Sequence, residues 1–162
     1  MRIIYMHHAE RDIGPNHNDP ILRQEEDITE TGIKEAELLG QEFVQNNNKY
    51  NIKTIVSSPY KRCMHTAEII AKYINAPIIE DARFNECAGH DEIVNGDLWQ
   101  RTMDGIQDIV DKYNIDDDIL VVTSGINLTG FICYFYNIDP KSHPDIAQGT
   151  FCSPVNFIIN EK

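Results

Sequence analysis

The sequence alternates short apolar segments with segments of helical periodicity, and this alternation constrains the fold more than any other feature. The apolar segments lie at residues 2–6, 54–56, 78–79, 119–122 and 156–160. A helical pattern separates each one from the next, and in the clearest case the apolar residues are Trp99, Met103, Ile106, Val110 and Tyr113. Strands that alternate with helices predict an α/β fold, a three-layer αβα sandwich with a mostly parallel sheet.

The composition indicates the number of domains and argues against several classes of binding partner. The 162 residues contain no repeat, low-complexity tract or linker, so we expect one domain over residues 1–162. A net charge of -12 argues against binding to nucleic acid or to an anionic membrane, because both need clustered Lys and Arg. No segment approaches the roughly 20 apolar residues of a membrane span. The four cysteines lack CxxC spacing, which favours reduced thiols, and we expect a cytoplasmic protein.

Two adjacent histidines, His7 and His8, follow the first apolar segment. Side chains of neighbouring strand residues point to opposite faces, so the two imidazoles converge only if the chain leaves the strand there. Ala9 is small enough to allow that turn. Open α/β sheets bind ligands beyond the carboxyl ends of their strands, which is where this pair lies. The alternative for His8 is a neutral core histidine that is hydrogen-bonded to a backbone carbonyl.

A second polar cluster follows the second apolar segment and contains Ser57, Ser58, Pro59 and Arg62. Ser58 as N-cap and Pro59 as first helical residue predict the start of a helix. Helix N-termini and guanidinium groups both favour anions, so the pattern predicts phosphate binding by Arg62. The alternative is an ordinary surface arginine on a well-capped helix.

These motifs resemble those of the histidine phosphatase (phosphoglycerate mutase-like) superfamily, and in particular its compact phosphohistidine phosphatases. Residues 5–10 are similar to its Arg-His-Gly or Arg-His-Ala motif followed by an acid, and residues 57–67 to its Ser-Ser-Pro motif with a later Arg and Thr-Ala. Residues 27–32 resemble its Leu-Thr-x-x-Gly helix entry, which indicates the fold rather than the chemistry. The resemblance implies a phosphoglycerate mutase-like fold, and we expect no cofactor and no metal ion.

The resemblance also implies catalytic roles for two residues. His8 matches the nucleophile that becomes a phosphohistidine, and a neutral imidazole nitrogen can attack phosphorus without prior deprotonation. Glu86, within the sequence Arg-Phe-Asn-Glu, matches the segment that carries a general acid. The alternative for Glu86 is a solvated loop carboxylate.

Two positions depart from the family pattern. His7 stands where the family has arginine; imidazole offers fewer donors and no assured charge at pH 7, although a protonated His7 beside a phosphate would compensate in part. Ser124 stands where the family has a second histidine. It can donate one hydrogen bond to a phosphoryl oxygen, or instead cap the next helix. Because the loss of one well-placed donor costs about a hundred- to a thousandfold in rate, the two changes predict a weakened enzyme.

Three functions remain open on this basis. The first is hydrolysis of a phosphomonoester or a phosphoprotein through a phosphohistidine on His8, with His7, Arg62 and Ser124 binding the phosphate. The second is a catalytically impaired member that binds a phosphorylated ligand or partner in a regulatory role. The third is a metal-dependent hydrolase built on the histidine pair and the acids of residues 12–19. It is disfavoured because adjacent histidines do not form the i, i+4 face of a zinc motif.

Overall fold

The computed structural model of the protein describes residues 1–15, 17–141, 147 and 149–159. In this part of the chain one sheet contains β1 (Arg2–His7), β2 (Ile52–Ser57), β3 (Ile78–Glu80), β4 (Asp118–Thr123) and β5 (Pro154–Ile158). The strand order is β3-β2-β4-β1-β5. β5 pairs antiparallel with β1, and the other three pairings are parallel, which confirms the prediction of a mostly parallel sheet.

Helices cover both faces of the sheet. They are α1 (Glu30–Gln45), α2 (Lys61–Ile74), α3 (His90–Val94), α4 (Asp97–Lys112) and α5 (Leu128–Tyr136). Leu39 of α1 and Ile70 of α2 belong to the hydrophobic cluster on one face, and Ile106 of α4 and Phe131 of α5 belong to the cluster on the other. The predicted three-layer αβα sandwich is therefore confirmed. None of the described helices is both long and apolar enough to cross a membrane.

The strands are apolar on both sides because both sides are covered. In β1, Ile4 and Met6 pack with α1 and α2, whereas Ile3 and Tyr5 pack with α4 and α5. β4 lies between β1 and β2, and each of its residues is buried. The core thus consists of two apolar layers that hold the middle strands, and above all their carboxyl ends, in fixed positions.

Two predicted boundaries differ from the structure. Ser58 is not the N-cap of α2, which starts at Lys61 with Tyr60 in the cap position. The backbone of Ser58 still follows the sheet, because its N–H donates to the carbonyl of Val122 at 3.0 Å, so the chain turns only after it. The last strand was expected at residues 156–160 but begins earlier, at Pro154, and residue 160 lies outside the described residues.

Candidate active site

The fold brings together the polar residues that follow three of the strands. His7, the last residue of β1, lies opposite Thr123, the last residue of β4. The next backbone N–H along, that of His8, donates to the carbonyl of Thr123 at 2.9 Å. On the other side of β4, the N–H of Ser58 donates to Val122. The segments after β1, β2 and β4 therefore meet at the carboxyl edge of the sheet.

The two imidazoles converge at this edge, where their Nε2 atoms lie 3.2 Å apart. They can do so because the strand ends at His7. Beside them is a cavity of about 260 Å³. Its lining consists of His7, His8, Arg11, Glu86, Ser124, Gly125, Ile126 and Phe151. Arg62, the remaining residue of the predicted site, contacts both His8 and Glu86. The predicted site residues thus form one cluster.

Arg62 is fully buried, so the alternative of a surface arginine is wrong. Its Nε donates to Nε2 of His8 at 3.0 Å, and its Nη2 donates to Oε2 of Glu86 at 2.6 Å. Its Nη1 donates to the backbone carbonyl of Arg23 at 2.8 Å, and its guanidinium lies over the Tyr60 ring. A buried charge is tolerated when it is paired and hydrogen-bonded, and Arg62 is paired with Glu86 and donates from each of its three nitrogens.

His8 presents a neutral imidazole with a defined tautomer. Its Nδ1 lies 2.7 Å from the carbonyl oxygen of Ala9, and since a carbonyl only accepts, Nδ1 carries the proton. Its Nε2 therefore has the lone pair that accepts from Arg62. Burial, and then the neighbouring His7, lower the pKa of His8 well below its ordinary value. The nitrogen beside the cavity is therefore unprotonated at neutral pH.

Each ring nitrogen of His7 lies close to another polar atom, but only Nδ1 is hydrogen-bonded. Its Nδ1 lies 2.9 Å from the carbonyl oxygen of Gly149 and so donates to it, which leaves Nε2 facing Nε2 of His8. The Phe151 ring packs against it with centroids 4.6 Å apart. Burial lowers the pKa of His7 to about 4. At neutral pH the ring is therefore uncharged, and position 7 supplies no cation to the cavity.

The carboxylate of Glu86 is surrounded by donors and is not a solvated loop group. Its Oε2 accepts from Nη2 of Arg62 at 2.6 Å and from the hydroxyl of Ser124 at 3.3 Å. Nη1 of Arg11 lies 3.8 Å from the same oxygen, and Nη1 of Arg23 lies 3.8 Å from Oε1. This ring of guanidinium groups and a hydroxyl is the kind of environment that binds an anion.

Sequence reasoning missed Arg11, Arg23 and Phe151. Arg11 lies only three residues after His8, and that closeness to the motif is the signal that could have singled it out. Its backbone is held by an isolated bridge to Ile28. Arg23 lies in the polar stretch of residues 11–27, and Phe151 lies far along the chain; no spacing rule connects either residue to the histidines.

Ser124 and His65 have definite partners. Ser124 lies just before the 3-10 turn Gly125–Asn127, yet its hydroxyl makes no capping hydrogen bond and donates to Glu86 instead. Nδ1 of His65 lies 2.7 Å from Oδ1 of Asp27, and His65 is absent from the cavity lining. Among the residues whose positions are described, no group of three or more His, Cys, Asp or Glu side chains lies close enough to hold a metal ion.

A comparison with protein families identifies the family to which the chain belongs. The sequence pattern of the histidine phosphatase superfamily (branch 1) matches residues 6–92, more than half of the chain, and this stretch includes His8, Arg62 and Glu86. The chain belongs to this superfamily. The resemblance of the sequence motifs is thereby confirmed at the level of the superfamily. No curated protein sequence matches the chain.

Solved structures of phosphatases and related proteins have a fold similar to that of this chain. YhfR of Bacillus stearothermophilus is 20% identical, with 98% of this chain and 91% of that chain covered and a TM-score of 0.72. A mycobacterial glucosyl-3-phosphoglycerate phosphatase is 14% identical, with 96% and 91% covered and a TM-score of 0.72. The phosphoserine phosphatase of Entamoeba histolytica is 17% identical, with 97% and 90% covered and a TM-score of 0.68. The phosphoglycerate mutase-like fold is thus confirmed.

The site of this histidine phosphatase superfamily member combines three chemical capabilities. A lone pair on Nε2 of His8 can act as a nucleophile. Guanidinium groups of Arg11 and Arg62 can bind an anion next to that nitrogen. The carboxyl group of Glu86 lies in the same cavity and can carry a proton.

Proposed function

We propose that the protein is a phosphatase that hydrolyses phosphomonoesters, of a small molecule or of a protein, through a phosphohistidine on His8. The observation that carries the proposal is the pairing of Nε2 of His8 with the buried guanidinium of Arg62 at 3.0 Å. Such a pairing places an unprotonated nucleophile beside the charge that would hold the phosphoryl group. The names of the similar structures, a phosphoserine phosphatase and a glucosyl-3-phosphoglycerate phosphatase, support a phosphatase.

The position of Glu86 indicates where a phosphate would bind. Its Oε2 already has the partners that a phosphoryl oxygen would need, namely Arg62 and Ser124, with Arg11 3.8 Å away. Phosphate binding would displace the carboxylate from these groups. Arg11 would then contribute a guanidinium that position 7 lacks, because the arginine of the family motif is replaced there by His7.

His7 keeps a proposed role in phosphate binding that depends on protonation. In the empty site its Nε2 faces Nε2 of His8 and has no proton to donate. A phosphate dianion nearby would favour the protonated ring, since an opposite charge within about 4–6 Å stabilises the charged form. The protonated ring would donate to a phosphoryl oxygen while Nδ1 stays on Gly149.

The proposed reaction has two steps. In the first, the Nε–H of Arg62 turns from Nε2 of His8 to a phosphoryl oxygen, and Glu86, displaced from the guanidinium groups, takes up the proton that a monoanionic phosphate ester carries. The lone pair of Nε2 then forms a bond to phosphorus, the bond from phosphorus to the leaving oxygen breaks, and Glu86 gives that oxygen its proton. In the second, water attacks phosphorus, Glu86 takes a proton from it, and the bond between phosphorus and nitrogen breaks. Inorganic phosphate leaves and Nε2 recovers its lone pair. Arg62 and Arg11 would stabilise the charge on the equatorial oxygens in both steps.

The proposed class of partner and the proposed cellular compartment are supported by the charge of the chain and by its cysteines. A net charge of -12 would disfavour nucleic acid and anionic membranes, whereas the local arginines at the cavity would hold a phosphorylated small molecule or phosphoprotein. Cys63, Cys87, Cys133 and Cys152 are all free, which supports a reducing compartment such as the cytoplasm.

Hydrolysis of 4-nitrophenyl phosphate by the purified protein tests the proposal. We expect measurable turnover that falls to background in His8→Ala, because the variant has no nucleophile. His65→Ala is the matched control, since His65 lies outside the cavity, and it should retain activity. Equal turnover in His8→Ala and the parent would reject the phosphohistidine mechanism.

The contacts of Glu86 also favour a second candidate, a catalytically impaired member that binds a phosphorylated ligand. The carboxylate occupies the anion position, and both nitrogens of His7 face protein atoms. This candidate predicts that the parent is inactive while the double variant His7→Arg and Ser124→His hydrolyses the ester. If inorganic phosphate fails to raise the melting temperature of the parent, the anion position itself is refuted.

A further inference from the structure

One part of the cavity wall is apolar, and its main component is Phe151. This side chain is 39% exposed, although it is large and hydrophobic. Its ring centroid lies 4.6 Å from that of His7 and 5.6 Å from that of His8, so it flanks the nucleophile. Ile126, which is half-buried, lines the same cavity. A ligand held next to His8 would therefore contact an aromatic face as well as the guanidinium groups.

The charges around the cavity leave little positive potential for a second anionic group. Arg11 lies within 4.0 Å of both Glu26 and Glu86, and Arg23 and Arg62 each lie within 4.0 Å of Glu86. These guanidinium groups exceed the two carboxylates by one charge, which a phosphate dianion would more than neutralise. A substrate with an additional carboxylate or phosphate would have no cation left to pair with.

The size of the cavity restricts the ligand further. Sites for drug-sized ligands typically occupy about 300–1,000 Å³. The cavity here, about 260 Å³, is smaller and suits a phosphoryl group with one compact substituent. Phe151 and Ile126 line this cavity beside the histidine pair, so they are the apolar surface on which an uncharged substituent of a phosphoryl group bound there would pack.

We propose that the substrates are aryl phosphates with an uncharged ring and that Phe151 determines this preference by packing against the ring. This inference rests on the proposed phosphatase function. Aromatic pairs in offset or edge-to-face geometry gain more than their buried area accounts for, by roughly 2- to 10-fold in binding. Phe151 therefore acts as a specificity-determining residue, separate from the groups that hold the phosphoryl oxygens.

Calorimetric titration with phosphonates tests the preference without turnover, because their carbon–phosphorus bond is not hydrolysed. The probes are phenylphosphonate, cyclohexylphosphonate, methylphosphonate and phosphonoacetate. We expect phenylphosphonate to bind about tenfold more tightly than methylphosphonate, and phosphonoacetate no more tightly than methylphosphonate. Tighter binding of phosphonoacetate than of phenylphosphonate would overturn the proposal, and so would equal binding of the phenyl and cyclohexyl compounds.

Variants of Phe151 test whether this residue causes the preference for the phenyl compound. Phe151→Ala should lose the advantage of the phenyl compound while its affinity for methylphosphonate stays within about twofold, and Phe151→Leu should retain only part of it. Tyr136→Ala is the control, because Tyr136 is a 72% exposed aromatic residue outside the cavity lining. An unchanged phenyl preference in Phe151→Ala would contradict the proposal.

The two proposals fail in distinguishable ways. A phenyl preference that depends on Phe151, together with turnover that does not depend on His8, would refute the phosphohistidine mechanism and leave the ligand preference standing. Binding of none of the phosphonates, together with turnover that is lost in His8→Ala, would refute the ligand preference and leave the phosphohistidine mechanism standing. Turnover of phenyl phosphate, compared with that of phosphotyrosine in a peptide, then separates a small aryl ester from a protein side chain; hydrolysis of phosphoserine in preference to both would overturn the aryl assignment.

Discussion

At the scale of single residues, Glu86 has two roles that compete. Its carboxylate bonds to Arg62 and Ser124, which are the groups proposed to bind a phosphate. The same carboxyl group is the proposed proton donor for the leaving oxygen. A phosphate must therefore displace Glu86 before Glu86 can assist the reaction, and this displacement subtracts from the binding free energy of the phosphate.

The variant Glu86→Gln separates the two roles. We expect it to bind inorganic phosphate more tightly, on the order of tenfold, because an uncharged amide competes less well for charged donors. Its kcat should fall by about 10²- to 10⁴-fold because the general acid is gone. Inhibition by phosphate and initial rates measure the two effects. Glu92→Gln is the control, since Glu92 pairs with Arg101 and is absent from the cavity lining; weaker phosphate binding in Glu86→Gln would contradict the competition.

At the scale of elements, the start of α1 supports the segment that follows His8. The hydroxyl of Thr29, the N-cap, accepts from the N–H of Gly32 and donates to Oε1 of Glu10 at 2.8 Å. The backbone N–H of Thr29 donates to the carbonyl of Glu10 at 2.9 Å. A Cβ at Gly32 would lie 2.3 Å from that same carbonyl oxygen. The helix entry that resembles a fold signature thus also positions the chain next to Arg11.

We therefore expect Gly32→Ala to destabilise the protein and to weaken phosphate binding, since relief of the clash must move the backbone of Glu10. Overpacking of this kind costs about 1–3 kcal/mol, and each kcal/mol lowers Tm by about 2–4 °C in a chain of this length. Gly89→Ala is the matched control, because nothing lies within 4 Å of a Cβ there. Thermal unfolding with and without phosphate measures both effects, and equal Tm values for the two variants would refute this role of Gly32.

At the scale of the whole molecule, the buried histidines couple the stability of the fold to pH. Burial lowers the pKa of His7 to about 4 and holds the pKa of His8 well below its ordinary value. In the unfolded chain both rings bind protons near pH 6.5. Unfolding therefore takes up protons below that pH, and the free energy of unfolding decreases as the pH falls from about 6.5 towards 4.

Denaturant unfolding at pH 7, 6 and 5 checks this coupling. We expect the parent to lose more stability across the series than His7→Gln does, because His7 alone accounts for about 2 kcal/mol between pH 6.5 and 5. His90→Gln, a change at an exposed position at the start of α3, should behave like the parent. Parallel stability curves for the parent and His7→Gln would show that His7 does not titrate as its burial indicates.

Much of this architecture was predictable from local pattern. Apolar runs and helical periodicity depend on neighbours in the chain, so the positions of β1, β2 and β4 were correct to within about two residues. The convergence of His8, Arg62 and Ser124 was predictable as well, because residues after parallel strands share one edge of the sheet. The cap of α2 was wrong because the backbone of Ser58 still follows the sheet, with its N–H donating to Val122, a partner distant in the chain that no local pattern identifies.

The sequence alone determined the layers of the fold and the chemical groups at the end of each strand, because both follow from the order of apolar and polar residues. Tertiary packing determined the properties of those groups. It left His7 and His8 uncharged by burial, placed the carboxylate of Glu86 among guanidinium groups and brought Phe151 beside His8. Charge state and pocket shape depend on atoms that are near in space and distant in the chain, so they exist only once the chain has folded.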